Sequence, residues 1–488
     1  MVEIIVCVLS GLLGVLVILL GICCVRAVAV KNRKPYAAAP PVDGARSKKA
    51  AEALSDMIKA QTVNAPDADP EVVRGEFEKH RKALEAHFPL THKVCERTLI
   101  NDAMLLHWKS KHPERAAVVL MAHSDVVPAT GRWQYPPFSG EIADGAVRGR
   151  GAVDTKGSLC AIFQAVEELL AEGFEPPCDI YIESSDNEEI SGPGAPSMRD
   201  ELTKRGVKLR LVLDEGGAVV TSPLPGLNGY YAMLGIVEKG FANVRFTARS
   251  AGGHASAPPR NSPFARLAAF ICEMEKRPPF KRQISPPMRR MISALAPDMG
   301  FPMRLIMSNL WLFSPLIKAV VPRLSPVASA MLSTTCAFTM SEGSQAANVL
   351  PETASVTANM RFIMHQTMVP SIEAVKKAAA KYGLETEVLY AHDCSSIVDT
   401  GSDEYRFVSR LAGELFPDAG QSPYIMVGGT DARHFSEVCP AVIRFSPLMV
   451  NKPQLDSIHG LDENIDVTAL GRAAGFYRRL IEGLADIC

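Results

Sequence analysis

No C-x-x-C pair occurs among the eleven cysteines of this 488-residue chain, and an odd count leaves one thiol over from any complete set of bridges. A thiolate zinc site and a disulfide framework are therefore both disfavoured. Charge of one sign is lacking too: 52 Lys and Arg face 53 Asp and Glu, a formal net charge of -1, so the chain has no electrostatic footprint for nucleic acid. No internal repeat or low-complexity tract stands out. What it has is length and apolar content. With 47% hydrophobic residues it can build the core of a large enzyme of two or three compact units.

Uncharged length is concentrated at the start. Ile4 to Val25 holds no charged residue; about 20 such residues span a hydrocarbon layer, whereas a signal-peptide core is usually about 7–15 residues long. The run reads as a single-pass membrane anchor. Arg26, Lys31, Arg33 and Lys34 follow it, and only the amino group and Glu3 precede it. The positive-inside rule then turns the enzyme toward the cytoplasm, which unpaired thiols do not oppose. Ala27-Val28-Ala29 resembles a signal-peptidase site, so a cleaved, secreted form is the alternative and the side of the membrane stays open. Residues 1–34 form the anchor and its basic flank. Residues 35–47, with Ala37-Ala-Ala-Pro-Pro41, read as an extended tether because paired prolines oppose helix. The catalytic unit starts near Lys48.

Chemistry enters where apolar runs stop. Leu120-Met-Ala-His-Ser-Asp-Val-Val-Pro128 sets His123 and Asp125 two residues apart at the end of a strand-like run from Ala116 to Ala122. A neutral imidazole binds zinc, and a carboxylate on its other nitrogen fixes tautomer and ring orientation. His123 is thus a candidate ligand and Asp125 its orienting partner. A single such pair is more often a strand end beside a turn; its company decides. Asp154 lies between Arg148-Gly-Arg-Gly-Ala-Val153 and a helical stretch from Ser158 to Gly173. Glu188 and Glu189 follow the alternating Cys178-Asp-Ile-Tyr-Ile182, Asp214 closes Leu209-Arg-Leu-Val-Leu213, and His459 sits in Ser457-Ile-His-Gly-Leu-Asp462. Strand ends are where α/β sheets hold ligands. Two imidazoles and several carboxylates match a two-zinc hydrolytic site.

In these segments the chain resembles the di-zinc metallopeptidase family of aminoacylases, acetylornithine deacetylase, succinyl-diaminopimelate desuccinylase and carboxypeptidase S, from about residue 50 onward. Val212-Leu-Asp-Glu-Gly-Gly217, Gly252-Gly-His-Ala-Ser-Ala-Pro258 and Ser308-Asn-Leu-Trp-Leu-Phe-Ser-Pro-Leu316 are similar to the branch that holds carboxypeptidase S and the N-fatty-acyl-amino acid synthase/hydrolases. The resemblance implies one zinc on His123 and Asp214, a second on Glu189 and His459, and Asp154 bridging both. Glu188 is left as the general base for a metal-activated water. Asn187 stands where many members have Asp, but both glutamates are retained. Zinc is the implied metal, two per chain, with cobalt or manganese as other occupants. The implied reaction is hydrolysis of an amide or peptide bond beside a free-carboxylate amino acid, in a small peptide or an N-acyl amino acid. A non-catalytic binding protein on this fold would require loss of a ligand or of Glu188, and neither is lost.

The same resemblance lifts His254, Asn348 in Ala347-Asn-Val-Leu-Pro351, Arg361 in Asn359-Met-Arg361, and Gly428 and Gly429 in Gly428-Gly-Thr-Asp-Ala-Arg433 to substrate binding. His254 would face the oxyanion, often across a dimer interface. Arg361 would fork onto the substrate carboxylate, and the glycine loop would offer backbone amides. The implied fold is an α/β catalytic domain of the di-zinc aminopeptidase type, a mixed sheet flanked by helices, in two parts at 48–237 and 393–488. An α+β lid/dimerisation domain is inserted at 238–392. Within it, Arg277 to Ser333 is rich in Pro, Met and large apolar residues, including Trp311-Leu-Phe313. This stretch reads first as packed core of the lid or of a homodimer, and second as a channel for a long acyl chain or a dock on the membrane.

Overall fold

Alternation builds the central sheet. In the strand Ala117–Met121, Val118 and Leu120 join the apolar cluster on one side, while Ala117, Val119 and Met121 join the cluster on the other. Ile180 and Ile182 oppose Tyr181 in the next strand, and Leu211 and Leu213 oppose Val212 in the one beyond. A period of two with both faces apolar marks strands buried in a parallel layer. Ala117–Met121 indeed lies between Ile180–Ser184 and Leu209–Asp214, parallel to both, and Val442–Arg444 extends the parallel set. Antiparallel partners, among them Ala103–Trp108 and Tyr230–Glu238, complete a ten-stranded mixed sheet. Helices Gly44–Ile58, Lys156–Ala171 and Val467–Glu482 pack together over one face, and Gly194–Lys204 covers the other.

The computed structural model describes residues 1–31, 36–224 and 226–488; Arg33, Lys34 and the boundary expected at 34/35 lie outside the described residues. The first helix of the catalytic unit begins at Gly44, ahead of the expected start at Lys48, because Asp43 caps it through the backbone N–H groups of Ala45 and Arg46. Ser47, expected in the tether, is buried in that helix against Gly471. Of the cysteines expected to be separate thiols, Cys178 and Cys488 bring their Sγ atoms to 2.6 Å.

A second, four-stranded antiparallel sheet is formed by Gly240–Arg249, Thr335–Glu342, Thr353–Phe362 and Glu385–His392. Helices Pro263–Lys276 and Met368–Ala380 pack on it around Phe246, Phe270, Met360 and Val375. The apolar stretch between its first two strands does not stay in this lid. Ser285 caps the helix Pro286–Leu295, whose Met288, Met291, Ile292 and Leu295 recur at helical spacing and enter the core of the catalytic body. They cover the edge strand Ala419–Met426, which among the described residues pairs on one side only and would otherwise present open backbone groups. Leu310, Ile317, Met331 and Leu332 join the same core.

The chain therefore crosses between the two bodies four times. The outer crossings pair with each other, Glu238 N–H donating to Ser395 Oγ (2.8 Å) and Ser395 N–H to Glu238 O (3.2 Å). The inner crossings pair likewise, Gln283 N–H donating to Leu332 O (2.9 Å). Lys239, fully buried, ties the sets together: its Nζ donates to Ala330 O (2.8 Å) and Ser333 O (2.9 Å).

The N-terminal helix Val2–Ala29 is long and apolar enough to cross a membrane, with a mean hydropathy of 3.0 over its most apolar stretch. Most of it is exposed. Near its C-terminal end Cys23 and Ala27, one turn apart, are buried where the helix meets Phe301–Met307, and Asn309 Nδ2 donates to Cys23 O (3.0 Å).

Candidate active site

His123, Glu188, Glu189 and Glu215 all follow the C-terminal ends of parallel strands, so one rim of the sheet collects them. His123 Nδ1 lies 3.0 Å from Asp125 O and 3.3 Å from Asp125 Oδ1. That leaves Nε2 facing the cleft, 3.1 Å from Asp154 Oδ1 and 3.5 Å from Glu215 Oε1. The fully buried Asp125 carboxylate also accepts the backbone N–H groups of Glu188 (3.1 Å) and Glu189 (3.0 Å). One side chain thus fixes both the imidazole and the turn that carries two acids. Asn187 Oδ1 accepts Gly194 N–H (2.8 Å), so the residue that departs from the family pattern braces the same turn.

On the far side of Asp154, His459 Nε2 is 3.1 Å from Asp154 Oδ2 and 3.1 Å from Glu189 Oε2. Asp154 therefore offers one oxygen to each imidazole. Two triads result, His123–Asp154–Glu215 and Asp154–Glu189–His459, each with its ligand atoms within 4.8 Å of one another. His459 adopts φ 58, a left-handed conformation that costs a non-glycine residue about 1 kcal/mol or more. The neighbouring loop is held by Arg150, which donates to Gly460 O (2.8 Å) and to the Glu463 carboxylate (2.7 Å). Glu463 also accepts the N–H groups of Gly151, Val153 and Asp154, which aims the Asp154 loop.

Asp214, expected on the first metal, is not in either triad. It is the last residue of its strand, buried, and its carboxylate is spent on the backbone N–H groups of Glu215 (2.8 Å) and Ala432 (2.8 Å). Glu215, one residue past the strand, reaches His123 instead.

Electrostatics fit this donor set to divalent cations. Burial first, then neighbouring acids, holds the Glu188 and Glu215 carboxyls well above the usual carboxylate range. Burial acts on Asp154 in the same direction, yet hydrogen bonds from His123 and His459 carry its carboxyl below that range. Asp154 and then Glu189 push His459 up to about 10. A cation among these groups would offset the charge that burial penalises, and imidazole nitrogen and carboxylate oxygen are the donors that zinc takes.

A cavity of about 600 Å³ opens on these groups. Asp154, Glu188, Glu189, Glu215 and His459 form one part of its wall, and Leu224, Met291, Val327, Met331, Tyr424 and Leu448 form much of the rest. Trp311 and Phe313, which the second reading of their stretch sets beside an apolar ligand, do not line it; the segment that follows their helix does. Gly429 lines the cavity, and a Cβ there would stand 3.9 Å from Arg361 Nη1 and 3.7 Å from Arg433 Nη1. Arg361 stacks on Phe241 at 4.7 Å. Next to Gly428 and Gly429, Thr430 is bound through N–H (3.0 Å) and Oγ1 (2.8 Å) by Glu238, itself paired with the buried Arg444. His254 and Asn348 lie elsewhere: Ala255 N–H donates to Asn348 O (3.0 Å) on an exposed tip of the lid, and neither residue lines the cavity.

Sequence reasoning passed over Glu215, Glu463 and Arg433. Glu215 was visible only as the neighbour of another acid, and Glu463 only as an acid one residue from Asp462. Arg433 stood in the quoted glycine stretch without a role.

Known proteins resemble this chain in sequence and in fold. The N-fatty-acyl-amino acid synthase/hydrolase of Xenopus tropicalis is 36% identical over 367 residues, 75% of this chain and 72% of its own. A probable carboxypeptidase S-like protein of Dictyostelium discoideum is 30% identical over 443 residues, 88% of this chain and 84% of its own. Among solved structures, an M20 family metallo-carboxypeptidase from Sulfolobus solfataricus superposes with a TM-score of 0.66 at 18% identity, covering 89% of this chain and 98% of its own. Human carnosine dipeptidase 1 gives 0.61 at 14% identity, covering 91% and 100%. Residues 119–483 match the model of peptidase family M20/M25/M40: the chain belongs to that family and is a metal-dependent amide or peptide hydrolase.

Proposed function

We propose that the protein hydrolyses N-acyl amino acids with a substantial apolar acyl group, using two divalent metals, zinc by preference. The observation that carries this reading is the composition of one cavity, with the triads and Glu188 in part of its wall and Met291, Val327, Met331 and Leu448 in another. His123, Asp154 and Glu215 would hold one metal, and Asp154, Glu189 and His459 the other. When bound, such metals lower the pKa of water and polarise a carbonyl. Glu188 takes the proton of the attacking water on its carboxylate and returns it to the departing amide nitrogen. Asp125 keeps Glu188 in place through its backbone N–H.

Arg361 and Arg433, meeting beside Gly429, bind the carboxylate of the amino acid. Their neighbour Gly429 keeps that wall clear. The acyl group extends along the apolar side. His254 and Asn348, exposed on the lid tip and outside their own cavity, reach the cavity of a second subunit in a homodimer. The Xenopus tropicalis relative, an N-fatty-acyl-amino acid synthase/hydrolase, agrees in substrate class.

The test is a series of N-acyl amino acids of increasing chain length, measured at equal metal loading. Each methylene buried adds about 0.8 kcal/mol, so kcat/KM should climb with length until the cavity is full. A flat or falling series, with turnover of dipeptides instead, favours a carboxypeptidase or dipeptidase.

A further inference from the structure

Helix Leu310–Leu324 carries an apolar face that no other described residue covers. Leu316, Val320 and Leu324 are exposed four residues apart, Trp311 is exposed in the turn before them, and Val327 is exposed in the next helix, so a row of apolar side chains lines the surface from one end of the helix to the other. Leu310 and Ile317 are buried in the core, so the helix is held against the body while these side chains stay exposed.

Three observations say what covers it. First, the row begins at the N-terminal helix: Arg26, Ala29 and Val30 at the end of that helix share one surface pocket with Met307, Leu310 and Trp311. A helix long and apolar enough to cross a membrane thus ends where the row starts. Second, the surroundings are basic. Residues 277–341 hold eight Lys and Arg against one acid, Asp298, in a chain whose net charge is -1. Arg282, Arg289 and Arg290 are exposed among them. Third, the row ends at the site: Val327 is 52% exposed and also lines the cavity that holds Glu188 and the two triads. Trp and Arg beside an apolar face are the side chains that settle at a headgroup boundary.

We infer that the face from Trp311 to Val327 rests on an anionic lipid bilayer beside the N-terminal helix, so that the active-site cavity opens toward the lipid and admits amphiphilic substrate from it. The substrate clause rests on the N-acyl amino acid reading; the docking clause does not.

The experiment uses the full chain reconstituted in phosphatidylcholine vesicles with and without phosphatidylserine, and with brominated lipid as a short-range quencher of indole fluorescence. Trp108 is buried in the catalytic core and Trp133 lies outside the row. Quenching is expected, stronger with phosphatidylserine, and lost in Trp311→Phe. In parallel, Leu316→Glu with Leu324→Glu should lower kcat/KM for a long-chain N-acyl amino acid dissolved in the vesicles by about tenfold or more, since removing two leucines from lipid is worth at least that in the docking equilibrium. Hydrolysis of a water-soluble N-acetyl amino acid by the same variant should not change, which also shows that it is folded.

Absent quenching in the reconstituted protein overturns the docking face, as does an equal loss on both substrates. A variant that dissociates an oligomer in detergent, without any quenching in the parent, assigns the face to self-association and also overturns it. Quenching without hydrolysis of any N-acyl amino acid leaves the docking face standing and rejects the substrate reading instead.

Discussion

Glu188→Gln keeps the size of the side chain and removes its ability to take a proton. Turnover should fall about a hundredfold or more while metal content stays that of the parent. Glu215→Ala should behave differently: it dismantles the His123 triad and leaves Asp154, Glu189 and His459 intact, so elemental analysis should show about half the metal of the parent. Asp214→Asn separates the neighbouring acids. Its oxygens accept two backbone N–H groups, and an amide can accept only one of them, so stability should drop by about 1–3 kcal/mol with metal stoichiometry preserved. Metal lost in Asp214→Asn but retained in Glu215→Ala would return the ligand role to Asp214.

At the scale of elements, Lys239 makes the junction between the bodies titratable. Burial brings its ammonium from 10.5 down to about 7. Between those values the unfolded chain binds a proton that the folded chain has released, so stability rises with pH across that window. Below about 7 both forms are protonated and the cost of the buried charge is constant. Lys239→Met should flatten the rise in urea midpoint between about pH 7.5 and about pH 9.5, whatever it does to the absolute midpoint. An unchanged slope would mean that Lys239 stays charged on its two carbonyls.

Element structure also decides what the sequence could and could not say. His123, Asp154, Glu189 and His459 were legible because each interrupts or ends an apolar segment, where a polar side chain needs a reason to be. Asp214 and Glu215 could not be ranked that way. Which of two adjacent acids points into the cleft depends on where the strand stops, and backbone donors from Ala432, distant in sequence, claim the first. The strands before the site residues were legible as apolar runs, and the inserted lid through resemblance. The apolar insertion was legible as buried but not as to where, since an amphipathic helix such as Pro286–Leu295 states that it has a partner without naming it. His254 and Asn348 were recognisable only through resemblance, and the exposed tip that carries them lies off their own cavity.

For the molecule as a whole, metal should act as a structural ligand as well as a catalytic one. A species that binds only the folded chain stabilises it by about 2.7 kcal/mol at a hundredfold excess over its dissociation constant. A chelator should therefore abolish hydrolysis and lower the melting temperature together, with zinc restoring both; active protein free of transition metal would sink the two-metal reading.

The four crossings between the bodies carry a consequence for folding. The lid sheet needs Thr335–Glu342, which the chain reaches only after depositing Met288, Met291, Leu310 and Ile317 in the other core. Neither body is a continuous stretch of sequence, and each supplies part of the other's closure. Cooperative units in proteins follow such shared contacts rather than visible outlines. Two outlines here should thus melt as one: calorimetry should show a single transition, and the lid cut out at its outer crossings should leave behind a catalytic body without the helices that seal its edge.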